Sequence, residues 1–186
     1  MGNKRNTIIA LLTASIFVFT GVVAAHAQED ALEPVATTDA SIDYAGFLEL
    51  AQTLEPIRQN RLVDLATFNE MKADPDTIIL DTRSTEAFMM GHIEGAITLP
   101  FSDFTTENLA RIIPDKHTRI LIYCNNNFSD NVSPIMLKRV ELALNVPTFI
   151  NLWGYGYENI YELGSYTESS HPQVAWVSNW PSVQKN

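Results

Sequence analysis

Short apolar runs alternate with amphipathic segments along the central part of this 186-residue chain, and the alternation predicts an α/β fold. The runs 78–80 and 120–123 are apolar at every position, which is typical of strands buried on both faces of a parallel sheet. Such strands, alternating with helices, indicate a central parallel sheet with helices on both faces. The predicted strands are 62–65, 77–80, 96–99, 119–123 and 148–152, and the predicted helices are 66–73, 85–89, 109–113, 136–144 and 157–163.

The first 27 residues have the pattern of an export signal. Lys4 and Arg5 precede an uncharged apolar run over residues 8–25, and a cleavage site of the A-x-A form ends at Ala27. An uncleaved membrane anchor is the alternative, because the run approaches the ~20 residues that cross a bilayer. The small residues before Ala27 favour cleavage. We therefore expect a periplasmic or secreted protein.

The rest of the chain divides into four segments. Residues 28–40 are polar and acidic without periodicity, which predicts a flexible linker. Residues 41–60 carry an apolar stripe at helical spacing and predict an N-terminal helical extension. The alternating strands and helices of a single domain occupy residues 61–164. Residues 165–186 form a loop-like C-terminal tail, whose tryptophans are predicted to pack on the domain.

The balance of charge limits the kinds of partner. Acidic residues outnumber basic ones by 22 to 12, and loss of Lys4 and Arg5 with the signal makes the net charge of −10 more negative still. We therefore expect no nucleic-acid partner, because little neutralises phosphates, and no stable membrane association after signal cleavage. The histidines are scattered and no C-x-x-C pair exists. Neither a metal nor another cofactor is expected.

Cys124 is the only cysteine, and it directly follows the predicted strand 119–123. In open α/β sheets, chemistry collects just past the carboxyl ends of strands. Backbone N–H groups in the polar loop that follows, with a helix N-terminus behind them, favour a thiolate there. Outside the cytosol, a lone thiol is buried and inert, bonded to another molecule, or kept for reaction. Position alone leaves these alternatives open.

Motifs between residues 62 and 163 resemble those of single-domain rhodanese-like proteins. The residues similar to the family's D-x-R…GHIxGA pattern are Asp81, Thr82, Arg83, Glu86, Phe88 and the run 91–96, which reads GHIEGA. Cys124 stands where the family keeps its catalytic cysteine, and Gly154 with residues 157–163 resembles the family's closing turn and helix. The resemblance implies a rhodanese-like fold.

The resemblance also implies a function for the motif residues. A rhodanese cysteine receives a sulfane sulfur, holds it as a persulfide and passes it to a thiol or another acceptor, which here makes Cys124 the nucleophile. Asp81, Arg83 and His92 are implied to shape the site. We interpret Asp81 and Arg83 as an ion pair rather than as substrate contacts. We interpret His92 as a turn residue hydrogen-bonded into the fold rather than as a catalytic base.

The loop after Cys124 departs from the family pattern. Many thiosulfate-using members carry glycine and arginine where this chain has Asn127 and Ser129, and Asp130 follows. Because thiosulfate is a dianion and the loop offers an acid and no cation, we expect a low-charge donor, a polysulfide or a protein persulfide, and a thiol acceptor. The predicted substrate-binding residues are Asn125, Asn126, Asn127, Phe128 and Ser129. Asparagine amides donate hydrogen bonds to sulfur, with turn formation alone as the alternative.

A proline lengthens this loop. Pro134 predicts the first turn of the helix 136–144, with Ser133 as its N-cap. The helix N-terminus is then expected to lie farther from Cys124 than is usual in the family, which weakens its effect on the thiolate.

Two classes of function fit these observations. The first is a sulfurtransferase of the cell envelope with Cys124 as sulfur carrier. The second is a catalytically weak binding or sensing module on the same scaffold, which the missing loop cation favours. A phosphatase of the Cys-x5-Arg type is disfavoured, because Asp130 stands where its arginine is required.

Overall fold

The computed structural model describes residues 41–179. The predicted signal and linker, residues 1–40, and the end of the tail, residues 180–186, lie outside this range. Within it, none of the helices combines the length and the apolar character that crossing a bilayer demands.

A parallel sheet of five strands forms the centre of the fold in the part of the chain that the structure describes. Its strands are β1 Leu62–Val63, β2 Thr77–Asp81, β4 Ile97–Thr98, β5 Arg119–Tyr123 and β6 Ile160–Leu163. They lie side by side in the order β1-β6-β5-β2-β4. A separate antiparallel pair joins β3, His92–Ile93, to β7, Trp176–Val177. All the pairings within the larger sheet are parallel, which confirms the predicted fold class.

Five α-helices accompany the sheet. They are α1 Tyr44–Gln59, α2 Leu65–Lys72, α3 Thr85–Met90, α4 Thr106–Ile112 and α5 Asn145–Gly154. Helices α2, α3 and α4 begin after Asp64, Ser84 and Thr105, whose side chains accept a hydrogen bond from a first-turn N–H group. Helix α1 is the predicted N-terminal extension, and Asp43 caps it in the same way.

Alternate residues of the strands enter two different cores, one on each face of the sheet. In β5, Ile120 and Ile122 pack with residues of α1, α4 and α5. Leu121 and Tyr123 pack on the opposite face with Phe68 of α2 and with Trp176 of the tail. All four β5 side chains are fully buried. The predicted covering on both faces is therefore present, and one tail tryptophan packs on the domain as predicted.

Three predicted elements are wrong. Residues 148–152 belong to helix α5 rather than to a strand, and residues 157–163 contain strand β6 rather than a helix. Because β5 and β6 are parallel neighbours, the chain needs a crossover between them, and α5 supplies it. Its residues 148–150 and 152 are all buried, so no helical period was visible in the sequence.

The predicted helix 136–144 is also absent, apart from one 3-10 turn at Val140–Leu142. Its apolar residues Met136, Val140 and Leu142 are exposed, so no core face stabilises a helix there. Pro134 and Ser133 consequently begin no helix, and residues 129–144 cross the surface as an extended loop, called here the 129–144 segment.

Two glycines of the GHIEGA run meet local steric demands. Gly95 has a φ of 86°, in the left-handed region that favours glycine. A Cβ atom on Gly91 would lie 2.2 Å from Nε1 of Trp176, so only glycine allows this close approach. The run thereby holds the tail against the domain, beside the carboxyl ends of the strands.

Candidate active site

Cys124 lies at the base of a cleft of about 580 Å³ at the carboxyl end of the sheet. It follows β5 directly, and only 2% of its surface is exposed. The cleft is lined by Thr82, Arg83, Ser84, Thr85, Ala87, Pro100, Phe101, Ser102, Asp103, Cys124, Asn125, Asn126, Lys138 and Leu144. These residues come from the loops after β2, β4 and β5, from the first turn of α3 and from the N-cap of α5. The only cysteine of the chain is thus buried at the edge of a cavity.

Backbone N–H groups converge on the sulfur of Cys124. The backbone groups of Asn145, Asn126 and Leu144 lie near it and lower its pKa. Burial raises the pKa by more, the charge of Glu162 adds to the rise, and the pKa of the thiol is raised overall. Asn145 is the first residue of α5 and Leu144 its N-cap, so the helix N-terminus lies at the sulfur. The expectation of a more distant helix was wrong, because the helix whose N-terminus lies at the sulfur is α5, which begins at Asn145 and not at Pro134.

Asp81 and Arg83 form a buried ion pair at the end of β2. Arg83 Nη2 lies 2.6 Å from Asp81 Oδ2, and Arg83 Nε lies 3.0 Å from Oδ1. The hydroxyl of Tyr123 donates to Asp81 Oδ2 at 2.5 Å, and Arg83 Nη2 also donates to the carbonyl of Gly91 at 2.6 Å. Burial raises the pKa of Tyr123 well above its ordinary value, and the charge of Asp81 adds to this, so the phenol stays protonated. The D-x-R and GHIxGA motifs therefore meet in one hydrogen-bonded cluster.

His92 lies outside the cleft. Its Nδ1 is 2.7 Å from the carbonyl oxygen of Phe88, and its ring stacks on the Phe88 ring with centroids 3.8 Å apart. The residue is buried and belongs to β3. These contacts match the interpretation of His92 as a residue bonded into the fold.

Asn125 and Asn126 line the cleft and also hold the 129–144 segment over it. Asn125 Oδ1 accepts a hydrogen bond from Arg83 Nη1 at 3.1 Å, and its Nδ2 donates to the carbonyl of Met136 at 3.0 Å. Asn126 pairs with the backbone of Lys138 in both directions, at 2.7 and 3.1 Å. The side-chain amides of both asparagines thus form hydrogen bonds within the protein.

The other three predicted substrate-binding residues do not line the cleft. Asn127 is buried, where its Oδ1 accepts from the N–H group of Cys124 at 2.8 Å. Phe128 is fully buried and packs edge-on against Trp176, with ring centroids 5.1 Å apart. The N–H group of Ser129 donates to the carbonyl of Thr167 at 2.9 Å. The prediction of substrate contact is not supported for these three, because the loop turns inward after Asn126.

The charges around the cleft also differ from the expectation. Asp130 lies elsewhere, and its carboxylate accepts hydrogen bonds from the N–H and hydroxyl groups of Ser169 at 2.9 and 3.0 Å. The charged side chains among the lining residues that the structure describes are Arg83, Asp103 and Lys138. Neither Lys138 nor Asp103 was predicted to line the site. Each lies several residues after the element that it follows, Lys138 after the cysteine loop and Asp103 after strand β4, and no local sequence pattern marks either residue.

Residues 64–169 match the model of the rhodanese-like domain family. The tRNA uridine(34) hydroxylase of Bradyrhizobium diazoefficiens is 40% identical over 77 residues, which cover 38% of this chain and 29% of that protein. The thiosulfate sulfurtransferase PspE of Escherichia coli is 35% identical over 46 residues, 25% of this chain and 43% of that one. The chain thus spans less than half the length of these relatives.

Among solved structures, the rhodanese-like domain of the Alr3790 protein from Anabaena is 22% identical, with a TM-score of 0.42. The match covers 56% of this chain and 69% of that domain. The family model covers more than half of the chain, and the structure has the parallel α/β sheet that the motifs imply. The chain belongs to the rhodanese-like domain family.

Proposed function

We propose that this protein is a sulfurtransferase that carries a sulfane sulfur as a persulfide on Cys124. The observation that carries the proposal is the convergence of three backbone N–H groups on the only sulfhydryl of the chain, at the base of an open cleft. Such groups stabilise an anion without a side-chain cation, and both the thiolate and the persulfide are anions.

The reaction has two displacement steps with no net oxidation. The Cys124 thiolate attacks the sulfane sulfur of the donor, a new S–S bond forms, and the donor's own S–S bond breaks with departure of its thiolate. The acceptor thiolate then attacks the outer sulfur of the persulfide, and the bond to Cys124 breaks. Cys124 leaves as a thiolate, and the N–H groups of Asn126, Leu144 and Asn145 stabilise it in both steps.

The charges of the cleft fit a donor with one negative charge. The ion pair with Asp81 neutralises Arg83, whereas Lys138 and Asp103 take part in none of the ion pairs of residues 41–179 and bring one charge of each sign to the cleft. Because the cleft then has no net positive charge, a dianion such as thiosulfate is disfavoured more than the single charge of a hydropolysulfide or a protein persulfide. We therefore propose a polysulfide or protein persulfide as the donor and a thiol as the acceptor.

Incubation with an inorganic polysulfide is expected to add one sulfur atom to Cys124. Intact mass measurement should show the added mass, and treatment with a reductant should remove it. Because the pKa of Cys124 is raised, the thiolate fraction grows as the pH rises through neutrality, so the rate of loading should grow as well. If neither polysulfide nor thiosulfate adds sulfur to Cys124 across this pH range, the result would instead favour a catalytically weak binding or sensing module.

Reversing the charge of Lys138 tests the choice of donor. We expect Lys138→Glu to lower the specificity constant for polysulfide on the order of tenfold at low ionic strength, and less in salt, because the interaction is screened. Arg139→Glu is the matched control, since Arg139 is the neighbouring cation and does not line the cleft. Equal losses in the two variants, or thiosulfate outperforming polysulfide with the natural protein, would contradict the proposed donor.

A further inference from the structure

We propose that Arg58, on helix α1, is a positioning residue for Cys124, because its ion pair with Glu162 neutralises a buried carboxylate behind the sulfur and orients the asparagines that hold the cysteine loop. Arg58 lies outside residues 64–169, the part of the chain that matches the family model. The inference deepens the proposed function by naming a control on its nucleophile.

The ion pair has the geometry of a two-pronged clamp. Arg58 Nε donates to Glu162 Oε2 at 2.7 Å, and Arg58 Nη2 donates to Oε1 at 2.6 Å. Glu162 belongs to β6 and is only 5% exposed. A buried carboxylate needs a partner of this kind, because the desolvation of an unpaired buried charge is strongly destabilising. Helix α1 therefore supplies the partner that makes a charged residue tolerable in a central strand.

Hydrogen bonds connect this carboxylate to the cysteine loop. Asn145 Nδ2 donates to Glu162 Oε1 at 3.2 Å and lies 3.3 Å from Asn127 Oδ1. That oxygen accepts from the N–H group of Cys124 at 2.8 Å. Asn127 Nδ2 donates in turn to the carbonyl of Leu163 at 2.6 Å, next to Glu162 in the strand. The chain of contacts thus runs from Arg58 to the backbone of the nucleophile.

Asn145 has two roles in this network. Its side chain donates a hydrogen bond to Glu162, and its backbone N–H group, at the start of α5, lowers the pKa of Cys124. A displacement of the carboxylate therefore moves one of the donors that stabilise the thiolate. Because α5 begins at this residue, the placement of the helix N-terminus depends on the same contact.

The Arg58–Glu162 ion pair is expected to change the pKa of Cys124 in one direction only. Glu162 is the acid whose charge raises the pKa of Cys124, after the larger effect of burial. The other charged groups toward the sulfur are Arg83, which is paired with Asp81, and the cleft-lining residues Asp103 and Lys138. Removing the cation of Arg58 leaves Glu162 unbalanced and disfavours the thiolate, whereas removing the charge of Glu162 favours it.

Alkylation of Cys124 by uncharged iodoacetamide, measured against pH in the full chain, tests this inference. We expect Arg58→Met to slow alkylation at neutral pH by roughly three- to tenfold and to move the pH profile upward. Glu162→Gln should move the profile downward, and Arg58→Met should have a much smaller effect in that background. Arg61→Met is the matched control, because Arg61 lies over the ring of Tyr161 instead.

A second variant separates an effect on the reactivity of Cys124 from an effect on folding. Arg58→Lys keeps the charge and loses the clamp, so its alkylation profile should stay near that of the natural protein even if its melting temperature falls. Profiles that coincide in all variants, with only stability altered, would overturn the inference. Alkylation needs no sulfur donor, so this result stands apart from the test of sulfur transfer.

Discussion

Replacing Cys124 with serine is expected to abolish sulfur transfer, by at least about a thousandfold, while the fold is retained. The hydroxyl is close in size to the thiol, and it neither ionises near neutral pH nor forms a persulfide. Transfer from polysulfide to a small thiol should therefore fall to the level of the uncatalysed reaction. Circular dichroism and the melting temperature should remain close to those of the natural protein.

A matched control for this variant is Ser129→Ala. The loop pattern placed Ser129 among the residues that bind substrate, whereas the structure places its backbone against Thr167, outside the cleft. We expect the alanine variant to transfer sulfur at nearly the natural rate. Substantial sulfur transfer by Cys124→Ser would refute the assignment of the nucleophile. A large loss of sulfur transfer in Ser129→Ala would instead indicate that Ser129 does bind substrate.

Replacing Arg83 with alanine is expected to cost about 3–5 kcal/mol of stability. The variant leaves Asp81 fully buried with the Tyr123 hydroxyl and without its cation, and it also removes the bonds from Arg83 to Gly91 and Asn125. For a domain of this size, such a loss lowers the melting temperature by roughly 10 °C or more. Thermal and urea unfolding should both report it.

The matched control removes an exposed ion pair by the same substitution. Arg119 pairs with Asp74 at 3.0 Å, with side chains 34% and 42% exposed. Exposed pairs contribute about 0–1 kcal/mol, so Arg119→Ala should change the melting temperature little. The melting temperature of Arg83→Lys should lie between those of the natural protein and of Arg83→Ala, since lysine keeps the positive charge and lacks the planar guanidinium group. An unchanged melting temperature with lost activity in Arg83→Ala would assign Arg83 to the substrate instead.

The sequence by itself determined the elements whose patterns are local. Strands β2 and β5 were predicted from the apolar runs 78–80 and 120–123, which lie within them. The position of Cys124 after β5 followed from the same pattern. The two residues of the D-x-R motif lie two positions apart, so their ion pair also depends little on the rest of the chain.

The sequence did not distinguish helix from strand between residues 145 and 163. Helix α5 is buried over most of its surface, so a short apolar run carries no helical period. Strand β6 contains Glu162, and a charged residue argues against a central strand unless its partner is known. That partner is Arg58, 104 residues earlier in the chain. Tertiary structure alone decided both elements.

Tertiary structure also decided which groups surround the nucleophile. Lys138 reaches the cleft because the Asn126 side chain binds its backbone from twelve residues away. Phe128 leaves the cleft because an aromatic side chain gains more from burial against Trp176 than from exposure. Local patterns thus indicate which residue reacts, whereas contacts between distant segments determine its charge environment, because hydrogen bonding and burial act on neighbours in space rather than in sequence.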